Sequence, residues 1–263
     1  MPNTIPRPII RRLKPEEEEL LRKREELAAI RATLAERELE LVDLRSQLAA
    51  FEGRYLRQVG TLYAELDEWK ARISELQARL HPSAASTAQA EEAREKARQT
   101  YEEAHGEASE TSDFTPSPEL KRMYRKAAKR IHPDLATDPA DRERRTHFMA
   151  EANRAYETGD AEALQRILDE YQDGAESVAG EGIGAELIRI IRQISLARTR
   201  LSAIEQELVT LRKSEIALLK KQAEEREQEG GDLLAELATA VREQIELAKK
   251  KHESLAQQEA MPA

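Results

Sequence analysis

A seven-residue apolar repeat is the feature that most constrains how this chain can fold. A large apolar or aromatic residue recurs at every seventh position from Leu20 to Leu76. An apolar companion lies three residues after the repeat position at Ile30, Leu44 and Phe51. Further along the chain it lies four residues after the repeat position, at Val59, Leu66, Ile73 and Leu80. This period predicts a long amphipathic helix, and the one-residue shift indicates a local adjustment of the supercoil or of the helix's partner near Tyr55, close to Gly53 and Gly60. The repeat positions are Leu20, Leu27, Leu34, Leu41, Leu48, Tyr55, Leu62, Trp69 and Leu76.

This first helical arm is predicted over residues 15–81. Pro15 followed by four glutamates is typical of a helix start, because proline fits the first turn and acids favour the positive end of the helix dipole. Two arrangements satisfy the repeat: a coiled coil with a partner chain, or a helix folded back on other helices in an intramolecular bundle. Sustained heptads favour the coiled coil, and a homodimer through the arms would satisfy it.

A second amphipathic arm is predicted over residues 185–258, interrupted at Gly230-Gly231. Its apolar positions again recur every seven residues, and no segment alternates as a strand does. The fold class is therefore predicted to be all-α, with a small central module between two long amphipathic coiled-coil helices. The remaining segments are predicted as a disordered leader at 1–14, a partly helical linker at 82–113, a glycine-rich hinge at 173–184 and a tail at 259–263.

Composition excludes several classes of protein. Aromatic residues make up 4% of the chain and charged residues 35%, which suits long solvated helices better than a thick core. The net charge of −9 disfavours wholesale binding to nucleic acid or anionic membranes. The absence of cysteine excludes disulfides, thiolate nucleophiles and cysteine-based zinc sites. No apolar run approaches a membrane span, and we expect a soluble, cytoplasmic protein without a signal peptide.

Residues 114–172 are predicted to form the small central module. Ser117 followed by Pro118 is typical of a helix start, since the hydroxyl caps backbone N–H groups and proline fits the first turn. Apolar residues share one face of the first helix and one face of the second, so the two should pack as an antiparallel pair. Three helices are expected, at residues 118–131, 144–158 and 161–171.

The tripeptide His132-Pro133-Asp134 follows the first of these helices. Pro133 lacks an N–H group and disfavours helical geometry in the residue before it, so the helix should end near His132. This places an imidazole and a carboxylate on an exposed turn beside a basic helix, an arrangement typical of a protein-binding surface. The six cations of that helix, expected to face largely outward, are Lys121, Arg122, Arg125, Lys126, Lys129 and Arg130.

Residues 115–171, about a fifth of the chain, resemble the J-domain of DnaJ-type co-chaperones. That domain pairs two antiparallel helices and exposes a His-Pro-Asp turn between them. The sequence Tyr-Arg-Lys-Ala-Ala at 124–128 precedes the tripeptide here, and Asn-Arg-Ala-Tyr at 153–156 follows it. Together these motifs are far more specific than the tripeptide alone.

The resemblance implies a co-chaperone that docks on a DnaK-type heat-shock ATPase and stimulates its ATP hydrolysis. The turn would promote hydrolysis, the cations of residues 121–130 would dock on an acidic patch, and the arms would target the module to a client or a structure. The chaperone-contact residues implied are His132, Pro133, Asp134, Lys121, Arg122, Arg125, Lys126, Lys129 and Arg130.

One departure from the family concerns its first helix. Residues 100–115 contain Tyr101 and Phe114 but lack the Leu-Gly pattern that J-domains carry there. Either a linker helix such as 94–105 substitutes for it, or the arms brace the helix pair. No glycine/phenylalanine-rich, cysteine-rich or β-rich client-binding segment follows.

Two other functions compete with the co-chaperone. The first is a structural coiled-coil scaffold or adaptor whose J-like module is degenerate and does not stimulate an ATPase. The second, nucleic-acid binding through the basic helix, is disfavoured by the overall acidity. No phosphate loop, Ser-His-Asp arrangement or carboxylate cluster is visible, and the histidines lack metal-ligand spacing. We therefore expect no catalytic residue, metal or cofactor, and no enzymatic activity.

Overall fold

The computed structural model describes residues 14–106, 115–136, 138–171 and 182–260. Within those ranges the chain forms nine α-helices and no strand, which confirms the all-α class. A π-helical turn at Leu56–Gly60 and a 3₁₀ turn at Pro133–Leu135 complete the described secondary structure. The α-helices are α1 (Pro15–Tyr55), α2 (Thr61–Leu80), α3 (Ala84–His105), α4 (Pro118–Ile131), α5 (Pro139–Glu157), α6 (Ala161–Glu170), α7 (Ile183–Arg212), α8 (Glu215–Gln228) and α9 (Leu233–Ala260).

The chain divides into two compact units, each built from segments that are distant in sequence. One unit, Met1–Leu44 with Thr115–Val209, contains the His-Pro-Asp tripeptide and is called the turn unit below. The other, Arg45–Phe114 with Thr210–Ala263, contains the packed helices α2 and α3 and is called the hairpin unit. The sequence analysis instead predicted that each domain is one continuous stretch of the chain. All but the last residue of the predicted leader, and most of the predicted hinge, lie outside the described residues.

The π-helical turn lies directly after Tyr55, at the place where the sequence predicts that the apolar stripe shifts. A π turn holds one more residue than an α turn. The extra residue explains why the companion apolar position moves from three to four residues after each repeat position. Val59, the first residue of the shifted companion series, is fully buried as a result.

In the hairpin unit, α3 packs along α2 and α9 packs against α2. The buried residues of α3 are the alanines Ala90, Ala97 and Ala104, spaced one heptad apart. These small side chains let α2 and α3 approach closely. The segment predicted as a partly helical linker is therefore a packed helix. Leu66 of α2 forms an apolar cluster with Val241 and Ile245 of α9.

Two helix boundaries differ from the prediction because side-chain caps start the helices at other residues. Helix α5 begins at Pro139 rather than near residue 144, since the Asp138 carboxylate accepts the Asp141 N–H at 2.8 Å. The second arm, predicted to be continuous to Gly230, is broken between α7 and α8. There the Ser214 hydroxyl accepts the Ala217 N–H at 3.3 Å and starts a new helix.

In the turn unit, α4, α5 and α6 pack on one another, and α1 packs on α7. The apolar stripes predicted for the helix pair are buried, with the rings of Tyr124 and Tyr156 5.0 Å apart at their centre. Leu20 and Leu27 of α1 meet Ile190 and Ile194 of α7. The module therefore has an apolar interior of its own.

Helix α1 is buried more broadly than a two-stranded coiled coil requires. The repeat leucines Leu34, Leu41 and Leu48 are 1%, 2% and 6% exposed within the single chain. At 3.6 residues per turn, the buried residues near the centre of α1 span about 160° of its circumference, whereas a coiled-coil seam is narrow. The structure thus has the intramolecular bundle arrangement rather than a seam left open for a partner. Those central buried residues are Leu34, Ala35, Glu38, Leu39, Leu41 and Val42.

Candidate functional site

The His-Pro-Asp turn forms where the sequence places it. Helix α4 starts at Pro118, where the Ser117 hydroxyl accepts the Leu120 N–H at 3.1 Å, and ends at Ile131. His132 then has the extended ψ of 131° that a residue before proline prefers. Pro133 opens a single 3₁₀ turn, in which the Leu135 N–H donates to the His132 carbonyl at 3.0 Å.

The predicted exposure of this turn is wrong for its histidine. The side chain of His132 is only 3% exposed, and that of Asp134 is 14% exposed and pairs with Arg142 at 3.2 Å. The sequence correctly indicates that proline ends the helix, but it does not show what lies over the turn. Glu38 of α1 contacts the His132 ring, and Arg200 of α7 in turn contacts Glu38.

Two hydrogen bonds fix the His132 ring. Its Nδ1 accepts the backbone N–H of Asp134 at 3.1 Å, so this nitrogen carries no proton. The Nε2–H group is then the donor, and it lies 3.1 Å from Oε1 of Glu38 in α1. Both ring nitrogens of His132 are therefore engaged in hydrogen bonds.

Glu38 is buried and is itself held by an ion pair with the half-buried Arg200. Its two carboxylate oxygens accept Nε–H and Nη2–H of Arg200 in α7, at 2.7 and 3.1 Å, in a bidentate arrangement. Burial opposes ionisation, but the hydrogen bonds from His132 and Arg200 outweigh it and lower the pKa of the Glu38 carboxyl. The group is therefore a carboxylate at neutral pH.

A third polar side chain joins the turn to α7. Gln193 is buried, and its Nε2–H donates to the Leu135 carbonyl at 3.0 Å. Its Oε1 accepts Nη2–H of Arg31 in α1 at 3.3 Å. We call Glu38, Arg200 and Gln193 the clamp, because together they tie both ends of the turn to the long helices of this unit.

Three of the six cations on α4 do not face freely outward as predicted. Lys121 Nζ lies 2.9 Å from Asp43, and Arg125 Nη1 lies 3.4 Å from Glu36, both on α1. Arg130 donates to backbone carbonyls at the end of α6, those of Leu168 at 3.3 Å and Tyr171 at 3.0 Å. These cations are held instead by acidic residues of α1 and by backbone carbonyls at the C-terminal end of α6.

The other three cations remain exposed and form a row. Arg122, Lys126 and Lys129 are spaced by four and three residues, so they lie on one face of α4. Arg122 reaches Glu119 at 3.4 Å, whereas Lys126 and Lys129 have no ion pair among the described residues. We call these three residues the basic row. Their role in contacting a chaperone stays a prediction.

Helix α1 braces the α4–α5 pair. Asp43 accepts hydrogen bonds from Lys121 Nζ at 2.9 Å and from the Tyr156 hydroxyl at 3.0 Å. Burial, together with the Asp43 charge, raises the pKa of Tyr156, so its hydroxyl stays a donor. Bracing of the helix pair by an arm, one of the two alternatives that the sequence leaves open, is therefore present among the described residues. Helix α3 belongs to the hairpin unit.

Sequence reasoning missed Glu38, Asp43, Gln193 and Arg200. A usable signal existed for two of them. Glu38 lies between the repeat positions Leu34 and Leu41, and Arg200 follows the buried Ala197 by three residues. A charged residue on an apolar face must find a partner when buried, so such positions are candidates for long-range pairs.

Comparison with protein-family models, curated proteins and solved structures found no match to this chain. The likeness to J-domains accordingly rests on the motifs in the sequence. Among the described residues, no helix has the length and apolarity needed to cross a membrane, and no three potential ligand side chains are grouped to hold a metal ion.

Proposed function

We propose that this chain is a co-chaperone whose J-like turn acts on a DnaK-type ATPase chaperone once the clamp has opened. The observation that carries the proposal is the basic row on α4, directly before the His-Pro-Asp tripeptide. Lys126 and Lys129 point to solvent without ion pairs among the described residues, although the chain as a whole is acidic. Such a local excess of positive charge suits docking on an acidic patch.

The proposed mechanism has two steps. The basic row first steers the module onto the chaperone, since complementary charge mainly speeds association. His132 must then leave Glu38 to meet the chaperone, because its ring is buried and both of its nitrogens are engaged. The closed arrangement should therefore stimulate ATP hydrolysis weakly, and weakening the clamp should raise the stimulation.

A structural scaffold or adaptor is the second candidate, and burial of the turn favours it. In that case His132 connects the end of α4 to α1 and, through Glu38 and Arg200, to α7. Its own hydrogen bonds are already satisfied. The tripeptide would then be kept for packing alone. Opening the clamp would destabilise the unit without any effect on an ATPase.

Single-turnover ATP hydrolysis by a purified DnaK-type chaperone distinguishes the two candidates. The full chain would be compared with Glu38→Gln, which removes the charge that holds His132 and Arg200 while keeping the shape. The co-chaperone proposal expects Glu38→Gln to stimulate several-fold more than wild type. Adding His132→Gln to that variant should abolish the gain, because the ring that acts on the chaperone is gone.

The matched control is Asp67→Asn, which neutralises a carboxylate buried in the hairpin unit. It should stimulate no more than wild type. Hydrogen exchange at α4 and α5 shows whether each variant remains folded. If folded Glu38→Gln protein gives no stimulation at any concentration, the scaffold is the better description.

Self-association and a cytoplasmic location belong to the same proposal. Because Leu34 and Leu41 are already buried, a dimer would use a different face. Helix α7 offers one, since Ile188 and Ile191 are three residues apart and exposed. Sedimentation should give twice the 29.8 kDa chain mass and return to one chain mass in Ile188→Glu/Ile191→Glu. A wild-type monomer would contradict this part of the proposal.

A further inference from the structure

A cleft in the hairpin unit lies between α2 and α3, and none of the residues that line it belongs to the tripeptide, the clamp or the basic row. It has a volume of about 560 Å³, which falls within the usual range of small-molecule pockets. Its floor is formed by Ala64 of α2 and Ala97 of α3, which are each 4% exposed. Because both floor residues are small, a ligand that enters the cleft would contact an apolar surface.

The charged residues of the cleft neutralise one another. Three glutamates and three arginines line it, and each of these arginines donates to one of the glutamates. The third glutamate, Glu65, lies 3.3 Å from Lys249 of α9. An ionic ligand would have to compete with these ion pairs, so the charge balance favours an uncharged ligand. The pairs are Arg72 with Glu68 at 3.0 Å, Arg94 with Glu68 at 2.7 Å and Arg98 with Glu95 at 2.8 Å.

Two stacked rings form the wall of the cleft near the C-terminal end of α3. Tyr101 and His105 are one helical turn apart, and their ring centroids are separated by 4.1 Å with an angle of 20° between the ring planes. Tyr101 is 58% exposed, so much of its surface is open to solvent. Aromatic rings attract one another beyond the effect of apolar burial. The pair therefore offers a surface on which a planar ring can stack.

The same two side chains have hydrogen-bonding groups to spare. Nδ1 of His105 lies 3.0 Å from the Tyr101 carbonyl, which only accepts, so this nitrogen carries a proton. Nε2 is then an acceptor in the neutral ring. Among the described residues, neither this Nε2 nor the Tyr101 hydroxyl has a hydrogen-bond partner. A ligand that donates to Nε2 would therefore gain a hydrogen bond without breaking one inside the protein.

We infer that this cleft binds an uncharged, planar aromatic molecule that carries a hydrogen-bond donor. Its ring would stack on Tyr101, its donor would reach Nε2 of His105, and its apolar edge would lie over the alanine floor. The ion pairs along the cleft would remain in place, since the ligand brings no charge to compete with them. This inference is independent of any action on a chaperone.

An NMR titration of the isotope-labelled full chain with naphthol tests the site. Trp69 is the only tryptophan, so its indole N–H gives a single signal. Two residues that line the cleft contact this indole: the Arg72 guanidinium lies 4.8 Å from the ring centroid, and Glu65 lies 3.4 Å from Nε1. Naphthol should shift the signal saturably. Tyr101→Ala should weaken binding at least about tenfold, whereas Tyr101→Phe keeps the ring and should bind like wild type.

Two related probes separate the hydrogen bond from charge and apolar burial. Methoxynaphthalene lacks the donor and should bind about fivefold more weakly than naphthol, the equivalent of one neutral hydrogen bond. In His105→Phe, which keeps a ring beside Tyr101 but removes the acceptor, the two probes should bind equally. If His105→Phe still prefers naphthol, the assigned hydrogen bond is wrong. Naphthoate is an anion, and binding as tight as that of naphthol would overturn the assignment to an uncharged ligand.

The matched controls are exposed residues of the same unit that do not line the cleft. Leu247→Ala removes an apolar side chain of α9 that is 65% exposed, and His81→Phe makes the same replacement at an exposed histidine directly after α2. Both should bind naphthol like wild type. Losses in the controls as large as that of Tyr101→Ala would mean general adsorption on the surface and would overturn the inference, as would the absence of saturable binding. Unchanged helicity and thermal midpoint show that the variants remain folded.

Discussion

The two units each bury a carboxylate to the same extent but pair it differently. The side chains of Glu38 in the turn unit and Asp67 in the hairpin unit are both 7% exposed. Asp67 accepts from Lys70 Nζ at 2.8 Å and from the Thr100 hydroxyl at 3.1 Å, and Lys96 Nζ lies 3.7 Å away. The side chains of the two lysines are 50% and 67% exposed.

The partners of Glu38 are less exposed to solvent than the lysines that pair with Asp67. The side chains of Arg200 and His132 are 35% and 3% exposed. If Asp67 is removed, its lysines are already largely solvated, and the Thr100 hydroxyl keeps its bond to the Lys96 carbonyl at 3.0 Å. If Glu38 is removed, a buried imidazole N–H and a half-buried guanidinium lose their acceptor. Although the two carboxylates are equally buried, the stability of the turn unit should therefore depend more on Glu38 than that of the hairpin unit does on Asp67.

The largest expected effect is that of Glu38→Ala on the turn unit. Removing one partner of a buried ion pair costs about 3–5 kcal/mol, whereas Asp67→Ala should cost about 1 kcal/mol because its ionic partners are exposed. Native-state hydrogen exchange resolves the two units separately. Glu38→Ala should lower protection in α4 and α5, and Asp67→Ala should lower it slightly in α2 and α3. Similar losses in both units would refute the comparison.

Acid should weaken the clamp through the same carboxylate. The pKa of Glu38 is lowered in the folded chain, because the hydrogen bonds from His132 and Arg200 outweigh the opposing effect of burial. A group with a depressed folded pKa stabilises the fold above its unfolded pKa, about 4.3 for glutamate, and loses that contribution as the pH falls through the folded value.

The measurement for the acid effect is hydrogen exchange in α4 and α5, corrected for the intrinsic rates at each pH. Protection in wild type should fall as the pH drops below the ordinary range of a glutamate. Glu38→Gln should start lower and change less with pH, since its side chain does not titrate. The same slope in both proteins would place the acid sensitivity in another group.

Much of the fold could be predicted from the sequence because it depends on local spacing. The start of α4 at Pro118, its end at Ile131 and the shift of the apolar stripe near Tyr55 all follow from residues a few positions apart. The tripeptide was also found by its local context. The caps at Asp138 and Ser214 are equally local, so the starts of α5 and α8 could also have been predicted.

The surroundings of the tripeptide could not be predicted in the same way. Glu38 lies 94 residues from His132 and 162 residues from Arg200 along the chain. Heptad spacing indicates which face of a helix is apolar, but not which helix covers that face. Both coiled coil and bundle satisfy the same repeat, and only the bundle brings α1 and α7 over the turn.

A smaller effect is expected from Tyr156→Phe, which removes one donor to a carboxylate of intermediate exposure. Asp43 would keep Lys121 at 2.9 Å, and its side chain is 19% exposed, so water can replace the lost hydroxyl. We expect a loss of about 1 kcal/mol, measured as the shift of the urea midpoint. A loss as large as that of Glu38→Ala would mean that partial exposure does not protect a carboxylate, contrary to the reasoning above.

The smallest expected effect is that of Lys96→Ala in the hairpin unit. Lys96 lies 3.7 Å from Asp67, and its side chain is two-thirds exposed, so its attraction to the carboxylate is screened by water. Lys70 and Thr100 would still hold Asp67, and the free energy of unfolding should change by no more than about 0.5 kcal/mol. Unfolding followed by the fluorescence of Trp69, the only tryptophan of the chain, reports on this unit directly.

The counterpart in the turn unit is Arg200→Ala, which takes the bidentate partner from Glu38 and should cost several times more. Should Lys96→Ala cost as much as Arg200→Ala, exposed partners would matter as much as buried ones, and the contrast between the two units would fail.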